Sequence, residues 1–383
     1  MKVRASVVLG AKEPWKTEEI EIDEPHANEV QVKMAYAGLC HSDEHLRSGD
    51  FGLPPEILAM LTPHGSMYPA IGGHEGAGVV EAVGADVHGF TPGDSVAASF
   101  IPSCGKCQWC LSGRSYICDL GTSIVAGPMV SDGTWRHHLG DDVLNRMCQL
   151  GTFAERIVVS ESSLVKVDTG VNLRAAALIS CGVATGYGAA VDRAKVRPGE
   201  CVIVLGCGGV GSGAIQGARI AGADVIIAVD LIPSKVERAK QIGATHGAAT
   251  LLEATFLAAE LTRGRLADAV ILTPSLMTGD LIGPAVEAAG KDGRIVIVAI
   301  SPQGQKDVSL DLGTFTLYNK NLMGCIFGSA NPKLQIPRLL ELYRLGQLKI
   351  DEMITKEYTL DEVQQGYDDV ESGKNVRGVV KFD

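Results

Sequence analysis

Basic charge, long apolar runs and low-complexity linkers are all scarce in this sequence of 383 residues. Its 34 Lys and Arg stand against 45 Asp and Glu, a formal charge of -11, which works against a nucleic-acid footprint or attraction to an anionic membrane surface. The apolar runs Val225 to Val229 and Ile295 to Ile300 fall far short of the roughly 18 residues that a spanning helix needs, so no bilayer crossing is expected. Near the N-terminus Lys2 and Arg4 precede a short apolar stretch that meets Lys12, Glu13 and Pro14, without the apolar core or small-residue cleavage site of a signal peptide. The expectation is a cytoplasmic protein with small-molecule partners, no nucleic acid and no membrane.

The length suits two or three domains at roughly 150 residues each. Apolar residues at 46% and charged ones at 21% are ordinary for a globular chain, and 46 glycines point to many tight turns. Ten cysteines are unusual: positions 40, 104, 107, 110, 118, 148, 181, 201, 207 and 325. An even count allows disulfides, but without a secretion signal clustered cysteines point instead to metal.

Up to about residue 180, short β-branched runs such as Glu29 to Lys33 and Gly78 to Val83 alternate with Gly/Pro turns, predicting a mainly antiparallel β region. From about 183 to 326 the apolar strands Val202 to Leu205, Val225 to Val229, Ala269 to Leu272 and Ile295 to Ile300 are separated by Ala-rich helical stretches, which predicts a parallel sheet. Helices are expected over Ile336 to Leu345 and Leu360 to Ser372, then a strand from Gly378 to Phe382.

The first of those strands runs into Gly206-Cys207-Gly208-Gly209-Val210-Gly211, followed by a helix over Ala214 to Ala221. In a dinucleotide-binding turn the first glycine permits the bend, the second lets the backbone approach a pyrophosphate and the third packs helix on strand. The next strand ends at Asp230, 19 residues beyond Gly211, where an acid accepts hydrogen bonds from the adenosine ribose and disfavours a 2′-phosphate. That pattern selects NAD over NADP, with Lys235 close enough to help at the ribose.

Cys104, Cys107, Cys110 and Cys118 place four thiols within 15 residues. Four thiolates at this spacing wrap one tetrahedral zinc, and a closed all-cysteine site is structural because no position is left for water or substrate. An iron-sulfur cluster uses the same residue type, but no Cys-Pro or second cluster motif accompanies these. A redox disulfide between Cys107 and Cys110 would leave the other two unexplained.

Three more segments carry soft or borderline ligands beside turn glycines: Gly38 to His45 (GLCHSDEH), Gly72 to Gly78 (GGHEGAG) and Ser180 to Gly188 (SCGVATGYG). In their order, and with the glycine motif, the four cysteines and the terminal Asn375 to Val380, they resemble the zinc-dependent alcohol dehydrogenases of the medium-chain dehydrogenase/reductase superfamily. The resemblance covers essentially the whole chain. It implies an α/β fold, with a GroES-like mainly-β catalytic domain (1–182 and 327–383, structural-zinc lobe about 100–120) and a Rossmann NAD-binding domain, a doubly wound parallel sheet, over 183–326.

By the same resemblance Cys40, His74 and Cys181 are the catalytic zinc ligands, with Glu75 a possible transient ligand, and two zinc ions bind per chain. Ser42 and His45 match a proton relay, and Asp43 the carboxylate that orients His74. Thr185 and Ile300 fall at the nicotinamide, Val298 elsewhere among the cofactor-binding residues, and His41 and Arg377 at the phosphates, with His41 standing where several relatives carry Arg. Phe100 and Ile326 match substrate-pocket walls. The implied reaction is reversible oxidation of an alcohol to an aldehyde or ketone by hydride transfer to NAD, in a homodimer or homotetramer.

Thirty-three residues separate Cys40 from His74, and Phe51 to Tyr68 looks like an insertion that reshapes the substrate entrance. The stretches Ser99 to Cys107, Cys118 to Gly121, Leu150 to Phe153, Ile326 to Gly328 and Gly373 to Gly378 are similar to an actinobacterial subgroup, the NDMA-dependent or nicotinoprotein alcohol dehydrogenases, which keep NAD bound and pass electrons to an external acceptor. Alternatives are an ordinary NAD-exchanging enzyme, a thiol-adduct (formaldehyde) dehydrogenase and, more remotely, a non-catalytic NAD-binding protein; filled ligand positions disfavour the last of these and a zinc-free quinone reductase.

Overall fold

The computed structural model describes residues 1–123, 125–302 and 304–383. They form two compact units, the first comprising Met1–Cys181, Asn331–Leu342 and Ile354–Asp383, the second Gly182–Ala330 and Tyr343–Met353.

The first unit is built on two largely antiparallel sheets. Its organising strand is Glu29–Gly38, which pairs antiparallel with Glu75–Val83, Arg156–Ser160 and Arg377–Lys381. Val30, Val32, Met34 and Ala37 from this strand are buried. The register sets Gly38 opposite both Glu75 and Val379, so Cys40, His74 and Arg377 emerge at one end of the sheet. The second sheet centres on Lys2–Val8 and Lys16–Ile22, where buried Val3, Ala5, Ile20 and Ile22 face inward while Glu19 and Glu21 face solvent.

In the second unit all pairings among the described strands are parallel, in the order His246–Ala248, Val225–Val229, Cys201–Leu205, Ala267–Leu272, Ala289–Ile297, Asn321–Gly324. That is the 3-2-1-4-5-6 order of a doubly wound sheet. Its reversal lies between Cys201–Leu205 and Ala267–Leu272, and ligands of such sheets bind outside the strand ends at this place. Burial on both faces, by Val202, Val204 and Ile226 on one side and Ile203, Ile227 and Leu272 on the other, explains the unbroken apolar runs.

Three local expectations are corrected. The Ala289–Ile297 strand starts and ends earlier than Ile295 to Ile300, because Lys291 and Asp292 form an exposed bulge, with Asp292 at φ 58°, before the apolar run. Val298 and Ile300 lie beyond it, half-buried. The Ser180 to Gly188 segment is helical, inside a 21-residue run, Leu173–Arg193, that is long and apolar enough to cross a membrane by length and composition, although 89% of its most apolar window is buried in the protein. Its Gly186 is not a turn residue: a Cβ there would lie 1.9 Å from the Val210 carbonyl oxygen, so glycine lets two helix backbones touch.

Candidate metal centres and dinucleotide turn

Cys40, His74, Glu75 and Cys181 converge in the first unit, each offering a ligand atom within 4.8 Å of the others, and all four are buried. Cys40 is the extended residue before helix His41–Ser48, and its carbonyl accepts the Tyr367 hydroxyl at 3.2 Å. His74 follows Gly72 and Gly73; a Cβ on Gly73, at φ +88°, would sit 2.5 Å from Thr152 Oγ1, so the chain reaches His74 through a bend that only glycine fits. Cys181 follows Ser180, whose hydroxyl oxygen accepts the Gly76 amide at 3.1 Å and ties the helix to the strand behind His74.

Charge is arranged around these ligands. Asp43 Oδ1 accepts the Gly73 amide at 2.7 Å, and Oδ2 lies 3.0 Å from His74 Nδ1. Burial opposes a charged imidazole, yet Asp43 and the thiols of Cys181 and Cys40 hold His74 well above its ordinary value. A hydrogen bond with Cys181, aided by His74 and Arg377, draws Cys40 well below the usual thiol range despite burial, while Cys181 is pushed up. Burial lifts Glu75 to about 7, against the pull of Arg377, with which it forms a buried ion pair. Arg377 thus stands against Glu75, 3% exposed.

Ser42 Oγ lies 3.7 Å from Cys40 Sγ. His45, on the same helix face, stacks edge-on to His41 at 5.0 Å, and Phe100 stands edge-on to His74 at 5.9 Å. The segment Phe51 to Tyr68 forms a short helix, Pro55–Leu61, without a buried residue; Ala59 to Pro63 line a cavity of about 460 Å³ with Pro128, Met129, Val130 and Trp135.

Cys104, Cys107, Cys110 and Cys118 also bring their sulfurs within 4.8 Å of one another. The Cys104–Cys110 and Cys107–Cys118 sulfurs are 3.9 Å apart, and all ten cysteines are free. Backbone amides point at the sulfurs: Cys107 N donates to Cys104 Sγ at 3.3 Å, Cys110 N to Cys107 Sγ at 3.4 Å and Cys104 N to Cys118 Sγ at 3.5 Å. Amides of Asp119 and Cys110 bring Cys107 down to about 6, so this thiol is readily ionised. Two sulfurs with an imidazole, and four sulfurs, are donor sets that suit zinc.

In the second unit the glycine turn joins Cys201–Leu205 to helix Gly209–Ile220. A Cβ on Gly206, at φ +94°, would lie 2.3 Å from Thr273 O, and one on Gly211 1.8 Å from Gly206 O, so these two glycines answer to the protein itself. Gly208 differs: nothing lies within 4 Å of a Cβ there, and the space at the helix N-terminus is open to a ligand. Asp230 is fixed against the turn, Oδ2 accepting Cys207 N and Oδ1 accepting Ile232 N, both at 2.9 Å. Lys235 is half-buried in helix Pro233–Ile242. Thr185 is buried, and its hydroxyl has no hydrogen-bond partner among the described residues. Ile326 is 42% exposed.

Asp50, which meets His45, and Tyr367 and Ser180, which brace the two cysteine-bearing segments, join the site only through the fold. Only Asp50 carried a signal, an acid just past the glycine that ends the His45 helix.

Comparison with known proteins agrees along the length of the chain. The alcohol dehydrogenase GroES-like domain matches residues 26–169 and the zinc-binding dehydrogenase domain residues 209–344. The NDMA-dependent alcohol dehydrogenase of Amycolatopsis methanolica is 44% identical over 380 residues, 99% of each chain. Alcohol dehydrogenase B of Mycobacterium tuberculosis (strain ATCC 25618 / H37Rv) is 41% identical over 382 residues, 100% of this chain and 99% of the relative. The crystal structure of benzyl alcohol dehydrogenase from Acinetobacter calcoaceticus superposes with a TM-score of 0.89 at 29% identity, covering 100% of both chains. The chain belongs to the zinc-dependent alcohol dehydrogenases of the medium-chain dehydrogenase/reductase superfamily, and its activity is that of an alcohol dehydrogenase.

Proposed function

We propose that this enzyme is of the nicotinoprotein type, oxidising an alcohol to an aldehyde or ketone with NAD that stays bound and is re-oxidised by an external acceptor. The observation that carries this reading is the full-length likeness to the NDMA-dependent relative. Cys40, His74 and Cys181 would hold the catalytic zinc, with Glu75 close enough to join them during ligand exchange, and the four-cysteine lobe would hold a second, structural zinc. With Nδ1 held 3.0 Å from Asp43 Oδ2, His74 would have Nε2 left to hold the metal. The open face of Gly208 and the unpartnered hydroxyl of Thr185 fit a dinucleotide along the turn, with Asp230 at the ribose.

When bound, zinc lowers the pKa of a substrate hydroxyl and the nicotinamide supplies the hydride acceptor. Ser42 and His45 carry the hydroxyl proton away, Asp43 orients His74, and Phe100 walls the substrate side. The division into a catalytic domain (1–182, 327–383) and an NAD-binding domain (183–326), a cytoplasmic location and a homodimer or homotetramer complete the proposal.

The test is a panel of alcohols run with free NAD and with nitrosodimethylaniline, alongside NAD and zinc content after extensive dialysis. About one NAD per chain and turnover with the acceptor alone are expected. An empty site with turnover only on added NAD would reduce the reading to an ordinary NAD-exchanging alcohol dehydrogenase.

A further inference from the structure

The imidazole proposed to release the proton is itself withdrawn from water. His45 has a side chain only 5% exposed, and its Nδ1 lies 2.8 Å from Asp50 Oδ2. Asp50 is 32% exposed. The chain is built to bring the two together. Helix His41–Ser48 ends at Gly49 in the left-handed region, φ +88°, and the Asp50 amide then donates to the His45 carbonyl at 3.0 Å, which folds the carboxylate back onto the ring. Ser48 Oγ donates to the same carboxylate oxygen at 2.7 Å. The ring of His45 is packed between His41 at 5.0 Å and Phe51 at 6.1 Å, so its orientation is fixed on both sides. The titratable groups facing this pair are His41, from the same helix, and Tyr68, whose hydroxyl donates to the Leu46 carbonyl.

We propose that Asp50 is the positioning residue of the proton relay and the point where the proton leaves the protein. The role rests on the relay reading of Ser42 and His45. An ionised carboxylate only accepts hydrogen bonds, so Asp50 fixes the proton of neutral His45 on Nδ1 and leaves Nε2 unprotonated, with a lone pair to receive another. Hydrogen bonds from His45 and Ser48 hold Asp50 below the usual carboxylate range, which keeps it ionised at neutral pH. The protons balance. The substrate hydroxyl gives one to Ser42, whose own proton passes to His45 Nε2. The imidazolium formed is paired with Asp50, and its Nδ1 proton leaves through the carboxylate to water; this leaves the ring as Nε2–H, and exchange of that proton with water, with one returned to Nδ1 by way of Asp50, resets the Nδ1–H tautomer with no net change in protons.

The test uses the zinc-containing, NAD-loaded full chain labelled with ¹⁵N-histidine, with the His45 signals assigned through His45→Gln. The wild type is expected to show the Nδ1–H tautomer. In Asp50→Asn, whose amide can donate to Nδ1, the signals should move toward Nε2–H, and kcat should fall by about tenfold to a hundredfold with KM within about twofold. Asp50→Glu, which keeps the charge, should return the tautomer and most of kcat, and covers the case in which the Asn variant folds poorly. If His45 stays Nδ1–H in Asp50→Asn, or kcat is unchanged there while His45→Gln loses activity, the role of Asp50 is overturned and the relay stands. If His45→Gln itself leaves kcat unchanged, the relay fails and this role with it.

Discussion

His74 and Asp43 meet wholly inside the protein, Nδ1 to Oδ2 at 3.0 Å, while the other oxygen of Asp43 grips the amide of Gly73 at 2.7 Å. One carboxylate therefore sets both the ring of the ligand and the backbone that delivers it. Asp43→Asn keeps the size but removes the charge that fixes the imidazole with Nε2 outward. Zinc retention should weaken by about tenfold to a hundredfold, read by chelator competition, while the four-cysteine lobe keeps its metal. Equal chelator resistance in wild type and variant would show that His74 needs no such partner.

The glycines of the turn separate stability from binding. Gly211→Ala puts a Cβ 1.8 Å from a backbone oxygen and should destabilise the protein by about 3 kcal/mol or more, seen as a lower melting temperature. Gly208→Val puts its Cβ where nothing in the protein lies within 4 Å and should melt within about 1 kcal/mol of wild type, the cost of losing glycine at a helix N-cap. Its effect should fall on the dinucleotide, with at least about tenfold weaker NADH binding by fluorescence titration of stripped enzyme, because the side chain fills the space at the helix N-terminus. Normal NADH affinity in Gly208→Val would place the pyrophosphate elsewhere.

What could be read before the structure follows from how locally each feature is encoded. The strand, Gly206 to Gly211 turn and helix are contiguous, and the alternation of apolar strands with helices suffices for a parallel sheet. The Leu173–Arg193 helix escaped because its glycines, which signal turns in sequence, are there to let Gly186 touch Val210 across a helix contact. The Ala289–Ile297 strand was misplaced because a bulge at Lys291 and Asp292 interrupts its apolar period. Asp50 went unnoticed because its meaning depends on the left-handed turn at Gly49, which a sequence pattern does not show.

The four-cysteine lobe should behave as a metal-closed loop. Its sulfurs lie 3.9 Å apart in two pairs, far beyond a disulfide bond, and are fed by backbone amides. Cys118→Ser should cost one zinc of two per chain and lower the melting temperature, because closing this loop without metal leaves a short chain segment with almost no core. Metal analysis with a thiol titration in denaturant and chelator checks both points: ten free thiols are expected in the wild type, and fewer than about eight would require disulfides.

His137 makes stability depend on pH. It is fully buried, neither ring nitrogen has a hydrogen-bond partner among the described residues, and burial followed by the nearby charges of Arg146, His138 and Arg136 holds it well below its ordinary value of 6.5. In the unfolded chain the same imidazole takes up a proton near 6.5 while the folded protein refuses it. The unfolded state therefore binds more protons below that pH, and the stability present above 6.5 is lost as pH falls toward the folded value, by up to about 1.4 kcal/mol per pH unit. His137→Leu removes the titration and the two unpaired nitrogens together. Denaturant midpoints at pH 7.5 and 5.5 should differ less in this variant than in the wild type, while at pH 7.5 the variant should be no less stable. Equal losses on acidification would mean that His137 is protonated in the folded protein.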